Sequence, residues 1–102
     1  MSMGKFIVDK ESANKAKETI SDTLASKKWP KFENAVTENP FYHPKPKRIK
    51  KLKTGTSFPP GTYRYKDEPL RVVYYPNKKT RIVYPLAAGT STNIPYKKKS
   101  KR

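Results

Sequence analysis

The chain has 102 residues, which predicts a single domain spanning residues 1–102. Its hydrophobic content of 33% predicts a small core, and the absence of cysteine excludes disulfides and thiolate chemistry. A net charge of +16, from 24 Lys and Arg against 8 Asp and Glu, opposes compaction and draws polyanions, so nucleic acid or an acidic protein is the expected partner.

Residues 5–9, KFIVD, place β-branched Ile7 and Val8 in a brief apolar run, which predicts a short first strand. Asp9 or Ser12 is placed to cap the helix that comes after it. From Ser12 to Lys27, Ala13, Ala16, Ile20 and Leu24 form a thin helical stripe. Such a helix needs tertiary packing to persist. Pro30 suits the first turn of a second helix, whose apolar face is Phe32, Ala35 and Val36. Asn39-Pro40 ends it, because a residue before proline avoids the α region. Two antiparallel helices with a tight corner near Lys28-Trp29 are expected.

The next segment, 40–60, is rich in proline and cations. Pro40, Pro44 and Pro46 favour an extended path. Ile49 and Leu52 are placed to anchor a short segment against a sheet, and Thr54 to Pro60 reads as a loop. From Gly61 a meander begins: TYRYK alternates, LRVVYY is a dense strand, PNKK a turn and TRIVYPLAA the next strand. Pro85 cannot donate to a ladder, so it marks an edge or a bulge. Lys97 to Arg102, with five cations in six residues, reads as a basic tail without fixed structure. The predicted fold is α+β, with an N-terminal strand and a helical hairpin packed on a small antiparallel β-sheet.

No run approaches the ~18 apolar residues of a membrane span, and the N-terminus lacks a signal-peptide apolar region. A cytoplasmic protein with no membrane partner is expected. His43 has no carboxylate or cysteine at ligand spacing and reads as a surface or packing residue, so neither a metal nor another cofactor is expected. Lys45, Lys47, Arg48, Lys50, Lys51 and Lys53 place six cations in nine residues. With Arg81, Lys97 and Lys98 they are candidate phosphate contacts, and binding through them should depend steeply on salt. Residues two apart on a strand share a face, so Arg64 and Lys66 point one way and Tyr63 and Tyr65 the other. Arg71 joins the first pair if the register allows, giving three cations with no carboxylate to neutralise them. Arginine suits phosphate through its planar fork, and crowding by like charge brings Lys66 nearer to use as a general base. Tyr63, Tyr65, Val72, Tyr74 and Ile82 are expected to pack against the helices.

The succession of these segments resembles the RelE/ParE toxin superfamily of bacterial and archaeal toxin–antitoxin systems. The residues that carry the resemblance are Asn39-Pro40, IKKLK at Ile49–Lys53, GTYRYK at Gly61–Lys66, LRVVYY at Leu70–Tyr75, RIVYPLAAG at Arg81–Gly89 and Tyr96-Lys97. They span roughly residues 30–98. The RelE branch implies a metal-independent endoribonuclease that cuts mRNA on the ribosome, leaving a 2′,3′-cyclic phosphate. Carried over by position, the resemblance implies Arg64, Lys66, Arg71 and Tyr96 as catalytic residues. Lys66 would be the general base, Arg71 the stabiliser of transition-state charge, and Tyr96 the residue that stacks on a base. It also implies an acidic, RelB-like antitoxin as partner, beside mRNA and the ribosome. Where the family carries a later arginine or histidine, this chain has Gly89-Thr90-Ser91-Thr92-Asn93. Either Lys97 or Lys98 substitutes, or the enzyme is weakened, or the chain belongs to a branch without nuclease activity. The alternatives are a ParE-like DNA gyrase inhibitor and a small, non-catalytic nucleic-acid-binding protein.

Overall fold

The computed structural model describes residues 5–45, 47–52 and 58–90. The elements run β1 (Ile7–Val8), α1 (Lys10–Lys17), α2 (Asp22–Lys27), α3 (Trp29–Glu38), β2 (Ile49–Lys51), β3 (Tyr63–Asp67), β4 (Leu70–Asn77) and β5 (Ile82–Gly89). The five strands form one sheet in the order β1-β5-β4-β3-β2. β1 runs parallel to β5, and the other neighbours are antiparallel. The fold is α+β, with a mixed sheet in place of the expected antiparallel one and three helices in place of a hairpin of two.

The expected helix over 12–27 is broken between Lys17 and Asp22 by its own hydroxyl side chains. Asp9 caps α1, its Oδ2 accepting from Ser12 N at 2.9 Å and from Ser12 Oγ at 2.6 Å. At the break, Thr19 Oγ1 lies within hydrogen-bond distance of Ala16 O (2.8 Å) and of Ala88 O on β5 (2.6 Å). Ser21 then caps α2, accepting from Leu24 N at 3.2 Å. Serine and threonine offer the backbone such local alternatives to helix bonding. α1 buries Ala13 and Ala16, whereas α2 buries no residue fully.

In α3, Trp29, Phe32 and Val36 are buried, Pro30 sits in the first turn, and Asn39 ends the helix with an extended ψ of 103° before Pro40. Phe32 is the centre of the core. Its ring lies 4.8 Å from Trp29, and it meets Tyr65 and Tyr74 edge-on at 5.2 and 5.6 Å. Tyr74 Oη donates to Pro40 O at 2.6 Å, so the one polar atom that this fully buried side chain carries is satisfied.

The sheet parity follows the expectation for Tyr63, Tyr65, Val72 and Tyr74, which pack on the helical side. Ile82 is a correction: Val83 is in the core instead. β4 continues two residues past Tyr75, pairing Pro76 with Val83 and Asn77 with Ile82, so the turn begins later than PNKK suggested. A slip of one residue exchanges the faces. Pro85 lies at a bulge, as one of the two expected settings. Tyr74 pairs with Pro85 and Val73 with Ala87, leaving Leu86 unpaired and 40% exposed. The proline-rich segment contributes an edge strand of its own: Ile49 pairs with Tyr65 and packs on the core, and the contact extends through Lys66 N to Arg48 O and Leu52 N to Thr62 O. No helix among the described residues is long and apolar enough to cross a membrane.

Candidate nucleic-acid interface

Charge is divided unevenly along the chain. Residues 1–38 carry seven cations and six carboxylates, a net +1, whereas residues 39–102 carry 17 cations and two carboxylates, a net +15. Nearly the whole field therefore belongs to the half that builds β2 to β5.

The antiparallel register sets Lys66 on β3 directly opposite Arg71 on β4. Arg64 lies two residues along β3, between Lys50 on β2 and Val73 on β4. Arg64, Lys66 and Arg71 thus share the sheet face away from the helices, as strand parity predicted, and Lys50, paired with Arg64, joins them. Two like charges facing across strands repel. That repulsion is offset by a carboxylate, which corrects the expectation of uncompensated cations. Arg71 Nη2 donates to Glu68 Oε2 at 2.9 Å, and Lys66 Nζ is 4.0 Å from the same oxygen. Glu68 sits in the turn joining the two strands, so closing the hairpin delivers it to both cations. The Arg71 hydrogen bond, with charge from Arg71, Lys66 and Arg64, holds the Glu68 carboxyl below its ordinary value.

Arg64 is not a surface charge. It is only 8% exposed, and its Nη2 donates to Lys47 O at 3.1 Å. It fastens the segment before β2 to the sheet. Lys47 itself takes a left-handed φ of 69°. A second fastening comes from Asp67, whose Oδ1 receives Arg48 Nη1 at 2.7 Å and Lys28 Nζ at 3.2 Å. Burial alone would raise the Asp67 carboxyl, but the hydrogen bonds from Arg48 and Lys28 outweigh it and hold the group below its ordinary value. This trio joins the helical layer, the β2 approach and the end of β3. The Arg48 guanidinium also lies 6.0 Å from the centre of the Tyr65 ring. Lys47, Arg48, Lys66, Asp67 and Glu68 line a cleft of about 250 Å3.

The basic run does not act as one patch. Lys45 is exposed, Lys50 shares the face of Arg64, and Lys51 pairs across with Tyr63 toward the other end of β3. His43 stands beside Lys45, its Nδ1 accepting from Lys45 N at 3.0 Å. Burial, and then the charges of Arg48 and Lys45, push the imidazole below its usual value, so it is neutral at pH 7. Arg81 is far from Lys66 and Arg71. It occupies the β4–β5 turn with φ 61°, its guanidinium 5.5 Å from the Phe6 ring. Lys53, Tyr96, Lys97 and Lys98 lie outside the described residues, as does the 91–93 segment where the family cation was expected. Gly89, which precedes it, is the cross-strand partner of Arg71.

Sequence reasoning passed over Asp67 and Glu68. The available signal was their isolation, since they are the only carboxylates after Glu38. Two acids amid so many cations have partners waiting. Among the described residues no three His, Cys, Asp or Glu side chains come together to hold a metal ion. The cleft brings together planar and point-like cation donors, which suits a phosphodiester. No protein-family model matches the chain, and neither a curated protein nor a solved structure matches it.

Proposed function

We propose that this protein is a RelE-like toxin of a type II toxin–antitoxin system, a cytoplasmic endoribonuclease that cuts mRNA on the ribosome and so inhibits translation. The observation that carries the reading is the direct pairing of Lys66 with Arg71 beside a cleft lined by Lys47 and Arg48. The α+β architecture, with helices packed on one face of a sheet, is compatible with this reading.

In this reading the RNA 2′-OH attacks the adjacent phosphorus and its proton passes to Lys66 in its neutral amine form, a role that rests on the RelE resemblance and not on charge crowding, which Glu68 offsets. Arg71, its guanidinium oriented by Glu68, meets the charge that develops on the phosphoryl oxygens. The P–O5′ bond breaks, leaving a 2′,3′-cyclic phosphate and a 5′-hydroxyl, and a tail cation (Lys97 or Lys98) protonates the leaving oxygen. Tyr96 stacks on a base. Arg64 supports the cleft from within by holding Lys47. An acidic antitoxin would find its counter-charge in the +15 half of the chain.

Primer extension on mRNA in a reconstituted translation system tests the proposal. New 5′ ends are expected with ribosomes present, and their absence with and without ribosomes would overturn it. Inhibition of gyrase supercoiling without RNA cleavage would select the ParE-like alternative.

A further inference from the structure

Toward the other end of β3 and β4 lies a second cavity, of about 540 Å3, which the proposed chemistry does not use. Three lysines line it, Lys51, Lys78 and Lys79, together with three aromatic side chains, Phe41, Tyr63 and Tyr75. Among the described residues no carboxylate lines it. Asp67, at the opposite end of β3, is four residues from Tyr63, about 13 Å along the strand.

The lysines stand on an ordered backbone. Lys51 is the cross-strand partner of Tyr63. Lys78 and Lys79 occupy a turn fixed by Asn77, whose Oδ1 accepts from Lys79 N at 2.9 Å and from Thr80 N at 3.1 Å. The Lys78 ammonium lies 5.4 Å from the Phe41 ring centre, and Phe41 is braced by Phe6 and Tyr63 edge-on at 5.7 and 5.4 Å. Gly61, with φ +87°, lets the preceding loop come against Tyr75, since a Cβ there would lie 3.3 Å from Tyr75 Cε1. Lysines alone would make an ordinary solvated face. Lysines around half-buried rings make a place where a phosphate and a planar base are held together.

We infer that this cavity takes a nucleotide of single-stranded RNA, with phosphate on Lys51, Lys78 and Lys79 and the base against Tyr75 and Phe41. The choice of RNA rests on the proposed function and extends it. Tyr75 shares the sheet face of Arg71 and lies four residues along β4, about 13 Å. Val73, which lies between them on that face, is fully buried, so the cavity is a separate site and not an extension of the Lys66–Arg71 groove.

The test is binding of a fluorescent single-stranded RNA oligomer to the full chain over a range of salt. The Lys78→Ala/Lys79→Ala double variant should weaken binding and lower the slope of log K against log salt by about 1.4, at about 0.7 for each phosphate no longer neutralised. Tyr75→Leu should weaken RNA about 5- to 150-fold while leaving binding of inorganic polyphosphate of matched charge unchanged. Thermal unfolding of each variant checks the fold, and the lysine variant, altered only on an exposed turn, stands alone if Tyr75→Leu does not fold. An unchanged slope in the double variant, or equal loss of RNA and polyphosphate on Tyr75→Leu, would overturn the inference. If the wild type cleaves mRNA and the lysine variant binds RNA like wild type, the cavity fails and the nuclease stands. If the wild type never cleaves but binds RNA through these lysines, the nuclease fails and the cavity stands.

Discussion

The two faces of β3 and β4 are built from alternate residues of the same strands, yet they differ in the charge they carry. On the helical side Tyr65, Val72 and Tyr74 are at most 2% exposed and form one cluster with Phe32 and Val36. On the other side Lys66 and Arg71 face each other and share Glu68. The first face is held by apolar burial and ring contacts, whereas the second sets charges that share a turn carboxylate beside the fully buried Val73. Stability and the proposed activity should therefore respond to different substitutions, although the residues lie next to each other in the chain.

The largest effect on stability is expected from Phe32→Ala, which empties a fully buried site against three aromatic rings and should cost about 3–5 kcal/mol, read as a shift of the denaturant midpoint. A loss below about 1 kcal/mol would mean that the helical layer does not carry the fold. Asp67→Asn comes next, because it leaves Arg48 and Lys28 without their shared carboxylate. At neutral pH we expect a loss of about 2 kcal/mol. The sign of its pH dependence follows from a folded-state value below the ordinary 3.8. The contribution is complete above about pH 4 and disappears as pH falls through the lower folded value, so the gap between wild type and Asp67→Asn should narrow in acid. A gap that widens in acid contradicts this assignment. Tyr74→Phe, which strands the Pro40 carbonyl, should cost about 1–2 kcal/mol by the same measurement. Smallest is Lys66→Ala, with a change in stability within about 0.5 kcal/mol.

Much of this organisation was legible in the chain. The helical face of Phe32, Ala35 and Val36 and the alternation in TYRYK showed which side chains turn inward, because a helix and a pleated strand each impose one period, whereas Trp29, expected at the corner, is buried as the first residue of α3. Four features were not legible. The helix break at residues 18–21 depends on Thr19 reaching Ala88, a contact across 69 positions that no local pattern contains. The assignment of Val83 rather than Ile82 to the core depends on how far β4 continues past Tyr75, a matter of register. The offset of Lys66 and Arg71 by Glu68 depends on hairpin closure, although the scarcity of acids in the second half pointed to it. The cavity under Lys78 and Lys79 combines four separate segments and has no linear signature.

The central claim is that the helix-free face does chemistry and the other face does not. Single-turnover cleavage of ribosome-bound mRNA by Lys66→Ala and Arg71→Ala, beside their melting curves, measures it directly. Wild-type melting is predicted, with cleavage lowered about 10²–10⁴-fold for Lys66→Ala and about 10²–10³-fold for Arg71→Ala. Folded variants that cleave at the wild-type rate would contradict it.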